Sequence, residues 1–234
     1  MTSDAPLERG VERMLSLSSS AWGALIACPL ALSLSLWGEA KGWGRARAIG
    51  KLGASLAFLV LFALSPEGPT CPEGFRVLVG AGLLLSAIGD GALLGSGARS
   101  FLTGLSAFLL AHIAFLLAFT RGDLKLSAAL LSAPLCLGVG GLIYRRLRSG
   151  VEERLRGPVI AYIIVIAAMV ACAAARAMIW PEGGALLLIG AVAFWCSDIS
   201  VALDRFAGAG LLNRLWGLPL YYGAQLCLTL TLWC

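Results

Sequence analysis

The chain has 234 residues, 59% of them hydrophobic and only 13% charged, with a formal net charge of +5. A soluble domain carries about 25% charged residues, so this chain lacks the polar surface to cover a water-soluble globule. Its positive charges fall in short loops between apolar runs, where they set orientation in a bilayer, and nucleic acid is excluded as a partner.

Apolar runs recur along the whole length, each close to the ~20 residues that cross a bilayer as a helix. The pattern predicts an all-α integral membrane protein, a single domain over 1–234 built as one bundle of eight spans. A short polar segment, 1–18, comes first. It mixes Asp4, Glu8 and Glu12 with Arg9 and Arg13, and lacks the cleavage site of a signal peptide. The spans follow at about 19–37, 49–65, 75–94, 101–119, 124–144, 157–178, 184–204 and 215–233. Pro66, Gly68, Pro69 and Pro72 break the chain between the second and third, and Pro181 to Gly184 between the sixth and seventh. The runs lack the alternation of a membrane β-barrel, and no internal repeat is visible.

Loop charges orient the bundle. Lys41, Arg45 and Arg47 follow the first span, and Arg145, Arg146, Arg148, Arg154 and Arg156 follow the fifth. Arg99, Arg205 and Arg214 lie on the same side. Positive residues concentrate on the cytoplasmic face, so this end is expected inside and both termini outside, in a bacterial cytoplasmic membrane.

Few ionisable residues fall within the spans: Lys51, Asp90, His112, Asp198 and Asp204, with Tyr162, Ser197, Tyr221, Tyr222 and Gln225 as polar companions. Charge inside a membrane is costly and marks a function or a buried pair. At about 1.5 Å of rise per residue these groups, on six different helices, share the cytoplasmic half of the bundle. Bland readings exist for several. Lys51 can snorkel to the headgroups, Asp204 can pair with Arg205 or Arg214, and His112 can be a hydrogen-bonded core histidine. Asp90 and Asp198 resist them, because each sits in an apolar stretch with no cation within one helical turn. Their partners must come from other helices.

Two aspartates that couple across a bundle can share one proton and offer an acid and a base together. Such a pair suits hydrolysis without a metal, and it equally suits a proton relay in a transporter. A non-catalytic lipid-binding protein is the third reading. A serine or cysteine nucleophile lacks support, because no GxSxG is present and the single histidine has no evident triad. The seven cysteines form no CxxC, so a zinc site is not expected and no cofactor is implied.

The ordered set Gly89-Asp90, Ala111-His112, Ala161-Tyr162, Ser197-Asp198 with Asp204, and Tyr221-Tyr222-Gly223-Ala224-Gln225 resembles the YhhN family, which includes the animal lysoplasmalogenases. The resemblance runs from the second span onward and includes the eight-span plan. The chain departs from the family at one place: Leu52-Gly53-Ala54 stands where proline often follows the lysine. The resemblance implies cleavage of the vinyl-ether bond of a lysophospholipid drawn from the bilayer, giving a fatty aldehyde and a glycerophospho-headgroup. Asp90 and Asp198 would be the catalytic carboxyls, in an order the sequence leaves open. Lys51, His112, Tyr162, Ser197, Asp204, Tyr221, Tyr222 and Gln225 would bind substrate, with surrounding membrane lipids as the other partners. The sequence does not define the oligomeric state.

Overall fold

A computed structural model describes residues 17–66 and 71–234. Residues 1–16 of the polar N-terminal segment, and Gly68 and Pro69 of the first break, lie outside the described residues. All regular structure among the described residues is helical. The helices are α1 (Ser19–Ala40), α2 (Gly44–Leu64), α3 (Phe75–Ala92), α4 (Ala98–Phe119), α5 (Leu126–Leu147), α6 (Glu153–Ala177), α7 (Gly184–Ala207) and α8 (Gly210–Leu230), followed by a 3-10 turn at Thr231–Trp233.

Local chemistry sets the boundaries. Ser18 caps α1 by accepting from the Ala21 amide at 3.2 Å, satisfying one of the free donors of the first turn. Ser65 precedes Pro66 and is held extended, which ends α2. Gly208 takes a left-handed conformation at φ 64°, which closes α7 and returns the chain into α8. The helices overrun several of the predicted spans at the basic-loop end. α2 begins at Gly44 rather than near 49, α6 at Glu153 rather than 157, and α8 at Gly210 rather than 215. Apolarity marks where lipid begins, whereas backbone hydrogen bonding continues through charged turns into the interface.

Seven of the eight helices are long and apolar enough to cross a membrane, and the chain is a multi-pass membrane protein. The exception is α8, which is as long but carries Asn213, Arg214, Tyr221, Tyr222 and Gln225. Asn213, Tyr221, Tyr222 and Gln225 are tolerated because they are buried against protein, since α8 packs on α1, α2, α3 and α7, and the half-buried Arg214 is ion-paired. Large apolar side chains such as Leu131, Val77 and Leu142 face outward, as a lipid-immersed surface requires. α5 is the least buried, with only Cys136, Gly140 and Leu147 fully covered.

Consecutive helices pack as hairpins α1–α2, α3–α4, α5–α6 and α7–α8, and α4–α6 and α6–α7 contacts join them. The α1–α2 pair is the tightest. A β-carbon added at Gly50 would overlap the Ser35 amide nitrogen and lie 2.6 Å from the Ala31 carbonyl oxygen. Close approach of small residues is the main packing device between helices in lipid. Gly50 therefore fixes how near α2 comes to α1, and with it the position of Lys51. Gly23 on the same hairpin has open space where a β-carbon would go. Gly50→Ala is expected to lower the thermal stability of the detergent-purified protein, with overpacking costing about 1–3 kcal/mol. Gly23→Ala should leave the melting temperature unchanged or raise it. Equal melting temperatures for the two variants would refute this account of the hairpin.

Candidate active site

The two intramembrane aspartates occupy separate, differently built pockets of partners. Asp90 lies in the last turn of α3 and is 1% exposed. Its Oδ1 is 3.2 Å from the Lys51 ammonium on α2. Its Oδ2 accepts hydrogen bonds from Ser55 Oγ at 2.7 Å and from the Tyr221 hydroxyl at 2.8 Å. The Tyr222 hydroxyl sits between that oxygen, 3.3 Å away, and the Lys51 carbonyl, 3.0 Å away. Lys51 and Ser55 are four residues apart and share a face of α2. The Asp90 carboxyl is thus enclosed by one ammonium and three hydroxyls.

Asp198 sits mid-way along α7. Its Oδ1 accepts from the Tyr162 hydroxyl of α6 at 3.3 Å. Its Oδ2 is 3.0 Å from His112 Nε2 of α4, close but not aligned as a hydrogen bond. His112 is fully buried, and its Nδ1 lies 2.6 Å from the Phe108 carbonyl oxygen. A carbonyl only accepts, so Nδ1 carries hydrogen. Nε2 is then the nitrogen that faces Asp198. Ring contacts hold the imidazole, with Phe194 at 4.3 Å and Tyr162 at 5.4 Å between centroids.

Phe108, Phe194 and Tyr221 make an aromatic wall between the two clusters, with centroids 5.5 to 6.3 Å apart. Both carboxylates nevertheless line one polar cavity of about 350 Å³. Its charged lining balances: Arg47, Lys51, Arg205 and Arg214 against Glu39, Asp90, Asp198 and Asp204. Ser197 and Tyr221 are also on its wall, although the Ser197 hydroxyl turns back to the Phe194 carbonyl at 2.8 Å. Beside it lies a smaller apolar groove of about 90 Å³ between α4, α5, α6 and α7, lined by side chains such as Ile143, Ile163, Ile166 and Trp195. Asp198, Phe101 and Val201 line both, so the apolar groove and the polar cavity adjoin along these residues.

The remaining polar residues named from the sequence take other positions. Asp204 is salt-bridged to Arg214 at 2.8 Å and accepts from the Gly210 amide at 3.1 Å. Arg214 is also ion-paired with Glu39. Gln225 is fully buried off the cavity wall, 3.4 Å from Ser86, with its carbonyl oxygen unpaired. Tyr222 is likewise behind the wall, on Asp90. Three contributors escaped the sequence reading: Ser55, Glu39 and Arg47, the last named only as a loop charge, whereas the Asp204–Arg214 pair was among its readings. Ser55 was findable as the residue one turn after Lys51. The other two lie close to the loop between α1 and α2, where charge is unremarkable. Lys51 does not snorkel; its side chain is 11% exposed and pairs inward. Among the described residues, no group of three or more His, Cys, Asp or Glu could hold a metal ion.

A sequence profile of the YhhN family matches residues 47–232, which span α2 to α8. The chain belongs to the YhhN family. It is 32% identical over 209 residues to the lysoplasmalogenase TMEM86B of Mus musculus, covering 88% of this chain and 83% of that protein. It is 32% identical over 174 residues to the lysoplasmalogenase TMEM86B of Homo sapiens, covering 73% and 68%. Similarity to the lysoplasmalogenase TMEM86A of Bos taurus is 30% over 168 residues, covering 69% and 67%. No solved structure matches this YhhN chain.

The Lys51–Asp90 pair yields a stability test separate from activity. Removing one member of a buried ion pair costs about 3–5 kcal/mol, because the other charge is left unmatched. Lys51→Met alone is expected to destabilise the purified protein by that order. Adding Asp90→Asn should recover a large part of it in a double-mutant cycle of unfolding midpoints. Strict additivity of the two substitutions would show that the pair is not coupled.

Proposed function

We propose that this chain is a membrane-embedded hydrolase that cleaves the vinyl-ether bond of lysoplasmalogen-type lysophospholipids, releasing a fatty aldehyde and a glycerophospho-headgroup. The names of its relatives support the reaction. The observation that carries the reading is the placement of Asp198 where an apolar groove meets a polar cavity. A vinyl ether is the bond that joins an alkyl chain to a polar glycerol. A lysolipid with its chain in the groove and its headgroup in the cavity brings that bond to Asp198.

The chemistry follows from the partners of each carboxyl. Asp198 and His112 face each other through atoms that together hold one proton, so this pair is the acid. The π electrons of the vinyl ether take that proton at the β-carbon, forming a C–H bond and leaving an oxocarbenium ion at the carbon bonded to oxygen. Water adds there, and its proton returns to the Asp198–His112 pair. The hemiacetal then collapses: its hydroxyl proton is lost, the C–O bond to glycerol breaks, and the glycerol oxygen is protonated. Net consumption is one water. Asp90, fixed as a carboxylate by Lys51, Ser55 and Tyr221, keeps negative charge on the cavity wall while positive charge develops on the substrate. Tyr162 orients Asp198 by its hydrogen bond. The basic-loop end, where the polar cavity lies, is read as cytoplasmic.

Purified protein in detergent is expected to release aldehyde from an alkenyl lysophospholipid. Asp198→Asn and Asp90→Asn should each lower kcat by at least about 100-fold, the scale of a lost acid or fixed charge. In heavy water, the aldehyde should carry one deuterium at the carbon next to the carbonyl. Wild-type rates in both variants would remove the aspartates from the mechanism. Uptake of lysolipid or protons into sealed vesicles without aldehyde would favour a transporter.

Chelation provides a second check. Positive charge builds on the substrate, and a divalent cation beside it would raise the barrier by repulsion in a low-dielectric site. EDTA is expected to leave the rate unchanged. Loss of activity restored by one added metal would turn the aspartates into ligands.

A further inference from the structure

Three arginines lie at the mouth of the polar cavity, and they are not equivalent. Arg214 is fully engaged, bridging Asp204 and Glu39. Arg47 is not. Its nearest carboxylate contact is a long one, 3.6 Å to a Glu39 already tied to Arg214. Its Nη2 reaches the Leu94 carbonyl at 3.3 Å, and its Nε is buried without a partner. Arg205 lies over the Phe101 ring, 4.3 Å from the centroid, and among the described residues it makes no ion pair with a carboxylate. A donor buried without an acceptor costs about 1–3 kcal/mol. Arg47, with a buried donor that lacks an acceptor, and the exposed Arg205, with donors free of carboxylates, together fit an oxyanion ligand on one cavity.

The depth of these arginines identifies the anion. Arg47 is four residues nearer the mouth than Lys51, about 6 Å along α2, and Arg205 is seven residues beyond Asp198, about 10 Å along α7. In a lysophospholipid, six single bonds separate the vinyl-ether carbon from phosphorus, an extended reach of about 7 Å. A substrate with its scissile bond at Asp198 therefore carries its phosphate most of the way to Arg205, whose long side chain spans the remainder, in the cavity that Arg47 also lines.

We propose that Arg47 and Arg205 form a phosphate-binding subsite at the cavity mouth, specific for the phosphate ester of a lysolipid headgroup. This deepens the function proposed above and rests on it for the position of the substrate. The guanidiniums bind the phosphate oxygens from the α2 and α7 sides of the cavity, while Arg214 stays locked between its two carboxylates. Recognition by these residues selects phosphorylated lysolipids over neutral monoalkyl or monoalkenyl glycerols, whose chains and glycerol oxygens are otherwise the same.

The test uses ligands that contain no vinyl ether. Affinities of the full-length protein in a phosphate-free nonionic detergent are measured for a saturated 1-O-alkyl glycerophospholipid and for the matching 1-O-alkylglycerol. Arg47→Gln and Arg205→Gln are each expected to weaken binding of the phosphorylated ligand by about tenfold, the loss of a charge-assisted contact. Binding of the alkylglycerol should stay within about twofold of the wild type. Equal losses for both ligands, the mark of a general packing defect, would overturn the subsite, as would unchanged affinity for the phosphorylated one. Aldehyde release from the alkenyl lysophospholipid is measured in parallel. Its absence alongside the arginine-dependent binding would fault the hydrolase reading and leave the subsite standing.

Discussion

Charge inside a low-dielectric bundle must be matched, and the Lys51–Asp90 pair is where that demand organises this protein. The pair joins α2 to α3, and the hydroxyls of Tyr221 and Tyr222 join both to α8. Three helices are thus tied at one carboxylate. Desolvation makes such a site costly unless nearly every lone pair is used, and Asp90 nearly meets that condition, with four donors around it. The polarity of α8 is a consequence. A helix with buried tyrosines, a glutamine and an asparagine is unfavourable toward lipid and favourable only where carboxylates and small polar groups await it on neighbouring helices.

The second carboxyl is held by a different logic. Asp198 has two partners rather than four, the Tyr162 hydroxyl and the His112 imidazole. The aromatic wall of Phe108, Phe194 and Tyr221 keeps the two systems apart while both reach the same cavity. One carboxyl is therefore enclosed by a lysine and hydroxyls, and the other faces an imidazole. The sequence offered two aspartates able to share a proton; the structure adds a basic partner for each, Lys51 for Asp90 and His112 for Asp198.

Fold class and family were legible in the sequence, and six of the polar residues it named, Lys51, Asp90, Ser197, Asp198, Asp204 and Tyr221, line one cavity, because hydropathy and helical rise together give depth. Azimuth was not. One residue along a helix turns a side chain by about 100°, so depth alone cannot say that Tyr221 faces the cavity while Tyr222 lies behind it, or that Gln225 points to Ser86. Cross-helix partners suffer the same loss: Ser55 and Lys51 share a face of α2, but only the packing of α3 shows that Asp90 is what they meet. The mouth of the cavity was hidden for another reason. Glu39, Arg47 and Arg214 sit where apolarity ends, and charge near a membrane surface has too many ordinary explanations to stand out.

The sparse burial of α5 has a consequence of its own. Gly140, Ile143, Tyr144 and Leu147 of this helix form one side of the apolar groove, yet α5 is the helix with the fewest buried residues. The groove is thus walled on one side by the bundle's least anchored element, with bilayer beyond. Of the two spaces that share Asp198, the apolar one is therefore the one whose wall a neighbouring lipid reaches most directly.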